Sequence, residues 1–421
     1  KLNNFVSDCL FFLCYNRQCE FLTHRITERE EIIMKYLKAL SIVALSAAFI
    51  LTGCGKDTEE VQPVVEPIIQ SQPAKEETTQ EESVEEETTE EDVPPEEGMV
   101  RSPLTNEWIS GDLENARPIA IMSPNDSGAL PHYNLSKADI LYECPVEGGI
   151  TRSMAVIKDW EGLDRIGNVR SCRDYFVYWA LEADSIYVHF GGPFYINDII
   201  EREGTDNITG CNYGETHHDG LYANAFYRTK DRKAPQNAYA SADGINEAID
   251  KLGYSKTYRD QYYQGAHYKF APSSTPNTLE SYSDAIDAKE VDLTPAYPIT
   301  KTSFSYNAED GLYYRSIYGK ADVDGATNEQ LSFKNIIIQS TYYEVRDAKG
   351  YLAFQVHDTT RDGYYITNGK AIHVNWKKTA DYEPTKYYDD NGNEVEFNTG
   401  KTMVCIIKDG DSFLADGVSI N

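Results

Sequence analysis

Residues 363–376 read GYYITNGKAIHVNW, in which two runs rich in aromatic and β-branched residues flank the pair Asn368-Gly369. A tight two-residue β-hairpin requires positive φ at both central positions, and the Asn-Gly pair satisfies that requirement well. A second such pair, Asn391-Gly392, separates KYYDD from NEVEF. These patterns predict a mostly antiparallel β domain over residues 297–421.

The preceding half of the chain has a different pattern. Apolar or β-branched runs at 118–122, 140–143, 154–157 and 185–190 alternate with segments of helical spacing at 174–181 and 195–203. We therefore predict a mixed α/β domain over residues 101–256, followed by a connection at 257–296 that is rich in Ser, Tyr, Asp and Pro. The expected fold class is α+β, with an N-terminal mixed α/β domain and a mostly antiparallel β C-terminal domain.

The charge of the chain is unevenly distributed. The formal net charge is -29, but residues 55–100 alone hold sixteen acidic and two basic side chains. The folded part is therefore only moderately acidic, and its 41% apolar content is enough for ordinary hydrophobic cores. A nucleic-acid partner is not expected, because phosphate neutralisation needs clustered Lys and Arg that outweigh the acidic residues.

A secretory signal begins at Met34, where the sequence reads MKYLKALSIVALSAAFILTGCG. Lys35 and Lys38 precede an apolar run at 39–51 that is too short to span a bilayer, which needs roughly 20 residues. Leu51-Thr52-Gly53-Cys54 has the form of a lipobox, in which the cysteine sulfur accepts a diacylglyceryl group. We predict a lipoprotein signal peptide at 34–53, lipidation at Cys54 and residence on the outer face of the cell membrane.

The segments on either side of this signal are not expected to fold. Residues 1–33 precede the signal, and we interpret them as an over-extended gene model. Residues 54–100 comprise the lipidated cysteine and a segment of Glu, Thr, Gln, Pro and Val, which cannot bury enough apolar surface to become ordered. We predict that this segment is a disordered acidic tether between the membrane and the folded region.

A series of short motifs runs through the folded region in a fixed order. They are Pro103-Leu104-Thr105, Arg117-Pro118-Ile119-Ala120, Leu135-Ser136-Lys137-Ala138-Asp139-Ile140, Glu147-Gly148-Gly149-Ile150-Thr151-Arg152, Val169-Arg170-Ser171-Cys172-Arg173, His189-Phe190-Gly191-Gly192, Arg232-Lys233-Ala234-Pro235, Asn375-Trp376-Lys377 and Asn398-Thr399-Gly400-Lys401-Thr402. This series resembles that of the YerB-like lipoproteins and covers almost everything from residue 101 to residue 407. The resemblance implies a two-domain extracytoplasmic lipoprotein and implies no particular activity.

Arginines are the most informative polar residues of the N-terminal half. Arg152 follows a Gly-Gly turn, and Arg170 and Arg173 bracket Ser171, a suitable N-cap for the helix predicted at 174–181. Free N–H groups and guanidinium forks together can receive a phosphate or carboxylate. The alternative is that these arginines pair internally with an acidic residue, for which the candidates are Glu143, Glu147 and Asp139.

Other candidate residues lie close to these arginines in the motif series. Glu147, His189 and Lys233 are included with the arginines as candidate ligand-binding residues. His189 ends a predicted strand before Gly191-Gly192 and is either an acid–base group or a structural histidine. No nucleotide-binding glycine pattern accompanies it, and no cofactor is expected.

Metal binding and cysteine chemistry are both disfavoured by the sequence. His217-His218-Asp219 lacks the partner spacing of a known metal motif, so no metal site is expected. Cys144, Cys172, Cys211 and Cys405 have no CxxC spacing, and we expect free or buried thiols although three disulfide pairings are open to them. A nucleophilic Cys172 is the less favoured alternative, since no neighbouring base is evident.

The function that these patterns favour is binding. We expect a membrane-anchored module for an anionic or glycan ligand of the envelope, or for a partner protein, in the crevice between the two domains. The alternative is a cell-wall-directed hydrolase or transferase with His189, Glu147 or Asp139 as acid–base groups and the arginines orienting the substrate. No Ser-His-Asp order, Cys-His motif or metal signature supports that alternative.

Overall fold

The computed structural model describes residues 93–212 and 219–421, and most of the regular structure in them is strand. In chain order the strands are β1 (Met99–Arg101), β2 (Trp108–Ser110), β3 (Ile119–Pro124), β4 (Ile140–Pro145), β5 (Thr151–Ile157), β6 (Ile166–Gly167), β7 (Ile186–His189), β8 (Asn207–Thr209), β9 (Phe226–Arg228), β10 (Ala238–Ala240), β11 (Ile286–Asp287), β12 (Glu290–Asp292), β13 (Ser303–Asn307), β14 (Leu312–Ile317), β15 (Lys320–Ala321), β16 (Ser332–Phe333), β17 (Asn335–Thr341), β18 (Tyr343–Val345), β19 (Leu352–Phe354), β20 (Asp358–Thr367), β21 (Lys370–Lys378), β22 (Lys386–Tyr388), β23 (Thr402–Lys408), β24 (Phe413–Ala415) and β25 (Val418–Ile420).

Helices are few and short in the described ranges. The α-helices there are α1 (Asp174–Leu181), α2 (Asn197–Ile200) and α3 (Ala242–Leu252). Short 3₁₀ helices occupy Gly111–Leu113, Ser127–Ala129, Leu135–Lys137, Glu147–Gly149, Phe194–Ile196 and Ala223–Ala225. None of the helices described is both long enough and apolar enough to cross a bilayer.

The hairpin predicted at Asn368-Gly369 is confirmed. Strands β20 and β21 pair antiparallel on either side of it, and Asn368 and Gly369 have φ values of 50° and 77°. The second predicted hairpin is not a regular one. Only an isolated bridge joins Tyr388 and Glu394, which lie on either side of Asn391-Gly392. The Asp389 carboxylate accepts hydrogen bonds from the backbone N–H groups of Asn391 and Asn393, and these bonds shape a longer loop.

One large sheet contains strands from both halves of the chain. Within the described residues it has eleven strands in the order β11-β21-β20-β17-β23-β4-β5-β3-β7-β8, with β22 beside β21. The halves meet where β23 runs parallel to β4, with Thr402 opposite Ile140 and Cys405 opposite Glu143. The sequence predicted two successive domains, and the structure shows that they share this sheet.

Alternating side chains of the large sheet enter two different cores. Ile119 and Ile121 of β3 pack in the core that contains α3 and residues of the seven-stranded sheet β15-β14-β13-β12-β24-β25, in which β16 also pairs with β14. Ala120 and Met122 point to the opposite face and pack in the core that contains α1. Buried side chains on both faces explain why these strands are almost continuously apolar.

Helix α1 begins and ends where the sequence predicted, but Ser171 is not its N-cap. Arg173 occupies the N-cap position, and no side chain caps the helix. Ser171 precedes Cys172, whose backbone N–H donates to the Gly191 carbonyl, so this segment is held in an extended path before the helix starts. The helical segment predicted at 195–203 is shorter in the structure, where α2 ends at Ile200.

The structure describes the end of the predicted tether and the predicted connection at 257–296. Strand β1 begins at Met99, two residues inside the segment predicted as the tether, and pairs with β2. Strands β11 and β12 lie within the predicted connection at 257–296. Residues 1–92, including the signal sequence and Cys54, lie outside the described residues, as do His217 and His218.

Candidate functional site

Arg152, Arg170 and Arg173, here called the arginine cluster, lie at one edge of the large sheet. Arg152 is the second residue of β5 and is opposite Pro124 at the end of β3. Arg173 immediately precedes α1. The backbone of Arg170 is fixed by two hydrogen bonds of 3.0 Å, which its N–H donates to the Met122 carbonyl and its carbonyl accepts from the Phe190 N–H.

Glu147 is the carboxylate at the centre of this cluster. Arg173 donates from Nε to Glu147 Oε2 at 3.0 Å and from Nη2 to Glu147 Oε1. Arg152 Nη2 lies 3.7 Å from the same Oε1. The turn that presents Glu147 continues through Gly148 and Gly149, whose φ values of 79° and 75° favour glycine. The alternative that the sequence left open, internal pairing of the arginines, therefore applies to Arg152 and Arg173, whose partner is Glu147.

Backbone carbonyls complete the contacts of the two buried arginines. Arg152 Nη1 donates to the Ser171 carbonyl at 2.7 Å, and Arg173 Nη1 donates to the Cys172 carbonyl at 2.6 Å. The extended path of residues 171–172 thus places two carbonyl acceptors against the cluster. Arg152 and Arg173 are only 3% and 4% exposed, whereas Arg170 is half-buried.

Positive charge exceeds negative charge at this site. Burial, together with the repulsion of Arg173, lowers the pKa of Arg152 to about 9. Burial also lowers the pKa of Arg170, where Asp126 acts in the opposite direction. Burial acts to raise the pKa of Glu147, but the charge and hydrogen bonds of Arg173 bring it below the ordinary value. The cluster is therefore a cationic site under electrostatic strain.

Arg170 has hydrogen-bonding capacity that the protein does not use. Its Nε is buried and makes no hydrogen bond to any residue in the described ranges. Unpaired buried donors are uncommon and unfavourable, because such a group has lost its water without gaining an acceptor. An anion or a water molecule at this position would supply the acceptor.

His189 lies at the same sheet edge but is fully buried. Its Nδ1 is 2.9 Å from the Gly191 carbonyl, and its Nε2 is 3.3 Å from Asn207 Oδ1. The ring also packs against Tyr187 with a centroid distance of 5.2 Å. These contacts fix the ring below the surface on which the arginine cluster lies.

The structure does not bring together the acid–base residues of the enzymatic alternative. Asp139 immediately precedes β4 and Glu147 follows it, so the six residues of β4 separate them by roughly 20 Å. Asp139 Oδ2 accepts a hydrogen bond of 2.7 Å from the Lys158 N–H, and burial raises its pKa to about 6. Asp139 and the buried His189 thus belong to different environments from that of Glu147.

Lys233 is exposed, in the loop between β9 and β10. Its loop is tied to the segment that carries Arg170, because Asn168 Nδ2 donates to the Gln236 carbonyl at 2.7 Å and Val169 N–H donates to the Ala238 carbonyl at 2.7 Å. Lys233 is therefore a neighbour of the cluster through these backbone contacts, without a direct contact to the three guanidinium groups in the described residues.

The four cysteines of the folded region are free thiols. Cys144, Cys172 and Cys405 are buried, and Cys211 is partly exposed. Burial raises the pKa of Cys172 to about 12 in spite of the arginines beside it. A thiol is a weak nucleophile until it ionises, so this environment disfavours nucleophilic chemistry at Cys172.

Comparison with known proteins identifies the family. The profile described as "Protein of unknown function (DUF3048) N-terminal domain" matches residues 104–255, and the profile of the C-terminal domain matches residues 293–404. The chain belongs to the DUF3048 family. The resemblance to the YerB-like lipoproteins is thereby confirmed, as is an architecture of two family domains with many strands and few helices.

The chain is also similar to a protein of known structure. It is 28% identical over 321 residues to "Putative lipoprotein YerB" of Bacillus subtilis (strain 168), an alignment that covers 76% of this chain and 90% of the relative. A crystal structure of the YerB protein from Bacillus subtilis matches with a TM-score of 0.60 and 25% identity, covering 73% of this chain and 96% of that chain. The YerB structure therefore supports the shared strand-rich fold.

The sequence did not predict where Glu143 lies. It also did not predict that the charge of Asp126 acts on Arg170. Glu143 was weighed as a partner of the arginine cluster, but it is fully buried and pairs with Arg315 at 2.8 Å. A signal was present, because Glu143 is an acidic residue within an otherwise apolar strand. Asp126, whose charge acts on Arg170, gave no comparable signal because acidic residues are ordinary in a turn.

Proposed function

We propose that this DUF3048 protein is a lipoprotein anchored through Cys54 to the outer face of the cell membrane, and that its arginine cluster binds an anionic group of an envelope ligand. The relative from Bacillus subtilis is named as a lipoprotein, and the signal at 34–53 supports the same anchor here. A phosphate or carboxylate on a glycan or on a partner protein supplies the charge that the cluster lacks.

The observation that carries this proposal is that Arg170, beside two arginines that are already paired, has a buried unpaired donor and no ion pair in the described residues. Arg117, Arg165 and Arg315 also have a buried unpaired nitrogen, but each of them is ion-paired. Arg173 is committed to Glu147 by a two-pronged contact. Arg170 Nε is buried without an acceptor among the described residues. A bound anion would gain a charge-assisted hydrogen bond at Arg170, a class of bond roughly twice as strong as a neutral one.

The charge balance supports an anion rather than a neutral ligand. Three guanidinium groups are set against two carboxylates, Glu147 beside Arg152 and Arg173, and Asp126, whose charge acts on Arg170. Burial is the main cause of the lowered pKa of Arg152, and the repulsion of Arg173 adds to it. A negative ligand would relieve that repulsion, whereas a neutral ligand would leave it in place.

The three arginines should differ in what they contribute. Arg173 holds Glu147 and the start of α1, so Arg173→Ala should lower the free energy of unfolding by about 1 to 3 kcal/mol. Arg170 makes fewer contacts within the protein, so Arg170→Ala should lower stability little. Arg170→Ala is therefore the informative variant, because a loss of binding cannot then be attributed to unfolding.

The test is calorimetric titration of the full chain with inorganic phosphate and with acetate at low ionic strength. Arg170→Ala should weaken phosphate binding by about tenfold or more, the change expected when a hydrogen bond to a charged group is lost. The matched control is Arg361→Ala in β20, which removes a partly exposed arginine that pairs with Asp358. Wild-type affinity in Arg170→Ala, or no binding of either anion by the unmutated protein, would overturn the proposal.

A further inference from the structure

A second basic surface lies close to the arginine cluster, in the loop at 228–233. Its sequence is Arg-Thr-Lys-Asp-Arg-Lys, with four basic residues and one acidic residue in a chain whose net charge is -29. Arg228, Lys230 and Lys233 are exposed. This segment, here called the basic loop, therefore carries local positive charge against the trend of the whole chain.

The basic loop is held in a definite shape by hydrogen bonds at both ends. Strand β9 pairs with β10, and Arg228 Nη1 donates to Asn237 Oδ1 at 2.8 Å across the hairpin. Arg232 donates from Nη1 to the carbonyls of Ala129 and Pro131, the second at 3.2 Å. Because hydrogen bonds anchor this segment, the exposed ammonium groups of Lys230 and Lys233 extend from a backbone that is held in place.

A fifth cation, Arg165, extends this surface between two aromatic rings. Its guanidinium lies 3.5 Å from the ring centroid of Tyr133 and 4.0 Å from that of Tyr239. It also pairs with Asp231 at 2.7 Å, and Asp231 lies 3.7 Å from Arg232. The one carboxylate of the loop is thus shared between two arginines, which leaves the two lysines without an ion pair in the described residues.

The hairpin of the basic loop is linked to the segment that carries Arg170. Phe190 joins them, because its N–H donates to the Arg170 carbonyl at 3.0 Å and its ring lies 4.9 Å from the Arg228 guanidinium. Asn168 and Val169, which precede Arg170, are bonded to residues 236 and 238 of the hairpin. The segment that carries Arg170 and the hairpin of the basic loop are therefore held together by hydrogen bonds.

We propose that the arginine cluster and the basic loop together bind a single linear polyanion with repeating phosphate groups. This inference rests on the proposed function and specifies the ligand of the same site. One phosphate is too small to engage both groups, whereas successive phosphates of a polymer engage the cluster first and the loop next. The second engagement is intramolecular and therefore adds affinity without requiring strong individual contacts.

Charge complementarity favours a polymer in an acidic protein. Isolated surface cations contribute little to binding because water and salt screen them. Several cations on one framework act together on a polymer whose charges are also linked, and the release of its counterions makes such binding strongly dependent on salt. Chain length and ionic strength are therefore the variables that distinguish a polyanion site from a site for one anion.

The experiment compares pyrophosphate with linear polyphosphate of increasing length on the full chain. The variant is Lys230→Gln, and the matched control is Lys251→Gln, an exposed lysine elsewhere. The unmutated protein should bind long polyphosphate more tightly than pyrophosphate. The variant should lose at least about tenfold in affinity for the long chain, with pyrophosphate affinity unchanged, and the control should lose neither.

The outcomes separate this inference from the proposed function. Equal affinity of the variant and the unmutated protein for long polyphosphate, with pyrophosphate still bound, would overturn the inference alone. Failure of pyrophosphate and polyphosphate to bind the unmutated protein would overturn the proposed function as well. Loss of sedimentation with phosphatidylglycerol vesicles in the variant, without any dependence on polyphosphate length, would assign the basic loop to a membrane surface and refute the polymer.

Discussion

Replacing Glu143 with Gln should weaken the junction between the two halves of the chain. Glu143 belongs to β4 in the N-terminal half, and its Oε2 pairs with Arg315 of β14 at 2.8 Å. Its Oε1 accepts hydrogen bonds from Thr302 at 2.8 Å, from Thr151 at 2.5 Å and from Asn125 at 3.1 Å. The carboxylate is thus fully buried and surrounded by donors from both halves.

The expected loss in the free energy of unfolding follows from the contacts that Arg315 keeps after the substitution. Both Glu143 and Arg315 have side chains with no solvent exposure, so Glu143→Gln leaves the arginine with one carboxylate partner, Asp322, in place of two. Breaking a buried pair typically lowers the free energy of unfolding by about 3 to 5 kcal/mol. The amide NH₂ of glutamine adds to this loss, because it meets a donor wherever it replaces an accepting oxygen.

Urea unfolding of the full chain, followed by tryptophan fluorescence and circular dichroism, measures this change. The matched control is Glu394→Gln, which removes the same charge from a solvent-exposed contact with Lys386 and should change stability by about 0 to 1 kcal/mol. Because β4 and β23 share one sheet, we expect both probes to report a single transition in both proteins. A loss below about 1 kcal/mol in Glu143→Gln with an unchanged denaturant slope would refute the assigned role of the junction.

Four further changes test other parts of the structure. Burial raises the pKa of Asp139 from 3.8 to about 6, so native stability should fall as pH rises from about 4 to about 6; Asp139→Asn should abolish that fall and add up to about 3 kcal/mol at pH 7 in urea unfolding. Burial lowers the pKa of His267 from 6.5 to about 4, so stability should fall as pH drops between those values, and His267→Gln should flatten this part of the pH profile. Arg152→Met should leave the melting temperature unchanged or higher but weaken phosphate binding, because it replaces a poorly compensated buried charge with an apolar side chain. Cys54→Ala should release the protein from membranes after a high-salt wash, as measured by fractionation and immunoblotting, since it removes the sulfur that accepts the lipid.

Local patterns predicted the local structure well. The Asn368-Gly369 hairpin and the bounds of α1 follow from turn chemistry and helical spacing, which involve residues close in sequence. The pairing of β23 with β4 was not predictable in this way, because it joins segments more than 250 residues apart. Apolar strands that are buried on both faces have no alternation to indicate which neighbour they choose.

The candidate site was predictable in part, because its residues lie in short sequence motifs. Short motifs placed Arg152, Arg170, Arg173 and Glu147 together, and the structure brings them to one sheet edge. The motifs could not show which arginines would have a carboxylate partner, because such partners can come from distant parts of the chain. Ser171 was also misjudged as an N-cap, since the bond from Cys172 to Gly191 that extends this segment comes from another element.

Other buried arginines of the described residues provide a standard for comparison. Arg117 contacts the carboxylates of Asp184 and Asp206, and Arg315 contacts those of Glu143 and Asp322. Arg315 has its two acidic partners to itself, whereas Arg117 shares Asp184 and Asp206 with Arg259, so neither place has more arginines than carboxylates. Burying a charge is unfavourable unless it is paired and hydrogen-bonded, so this arrangement is what stability alone would select.

The arginine cluster departs from that standard in the direction a binding site requires. Arg152 and Arg173 share the carboxylate of Glu147, and Arg170, on which Asp126 acts through its charge, has no ion pair in the described part of the chain. An uncompensated buried charge lowers the stability of the native state. The anionic ligand that we propose would supply negative charge to these arginines and an acceptor to Arg170, and the basic loop would extend the same positive field.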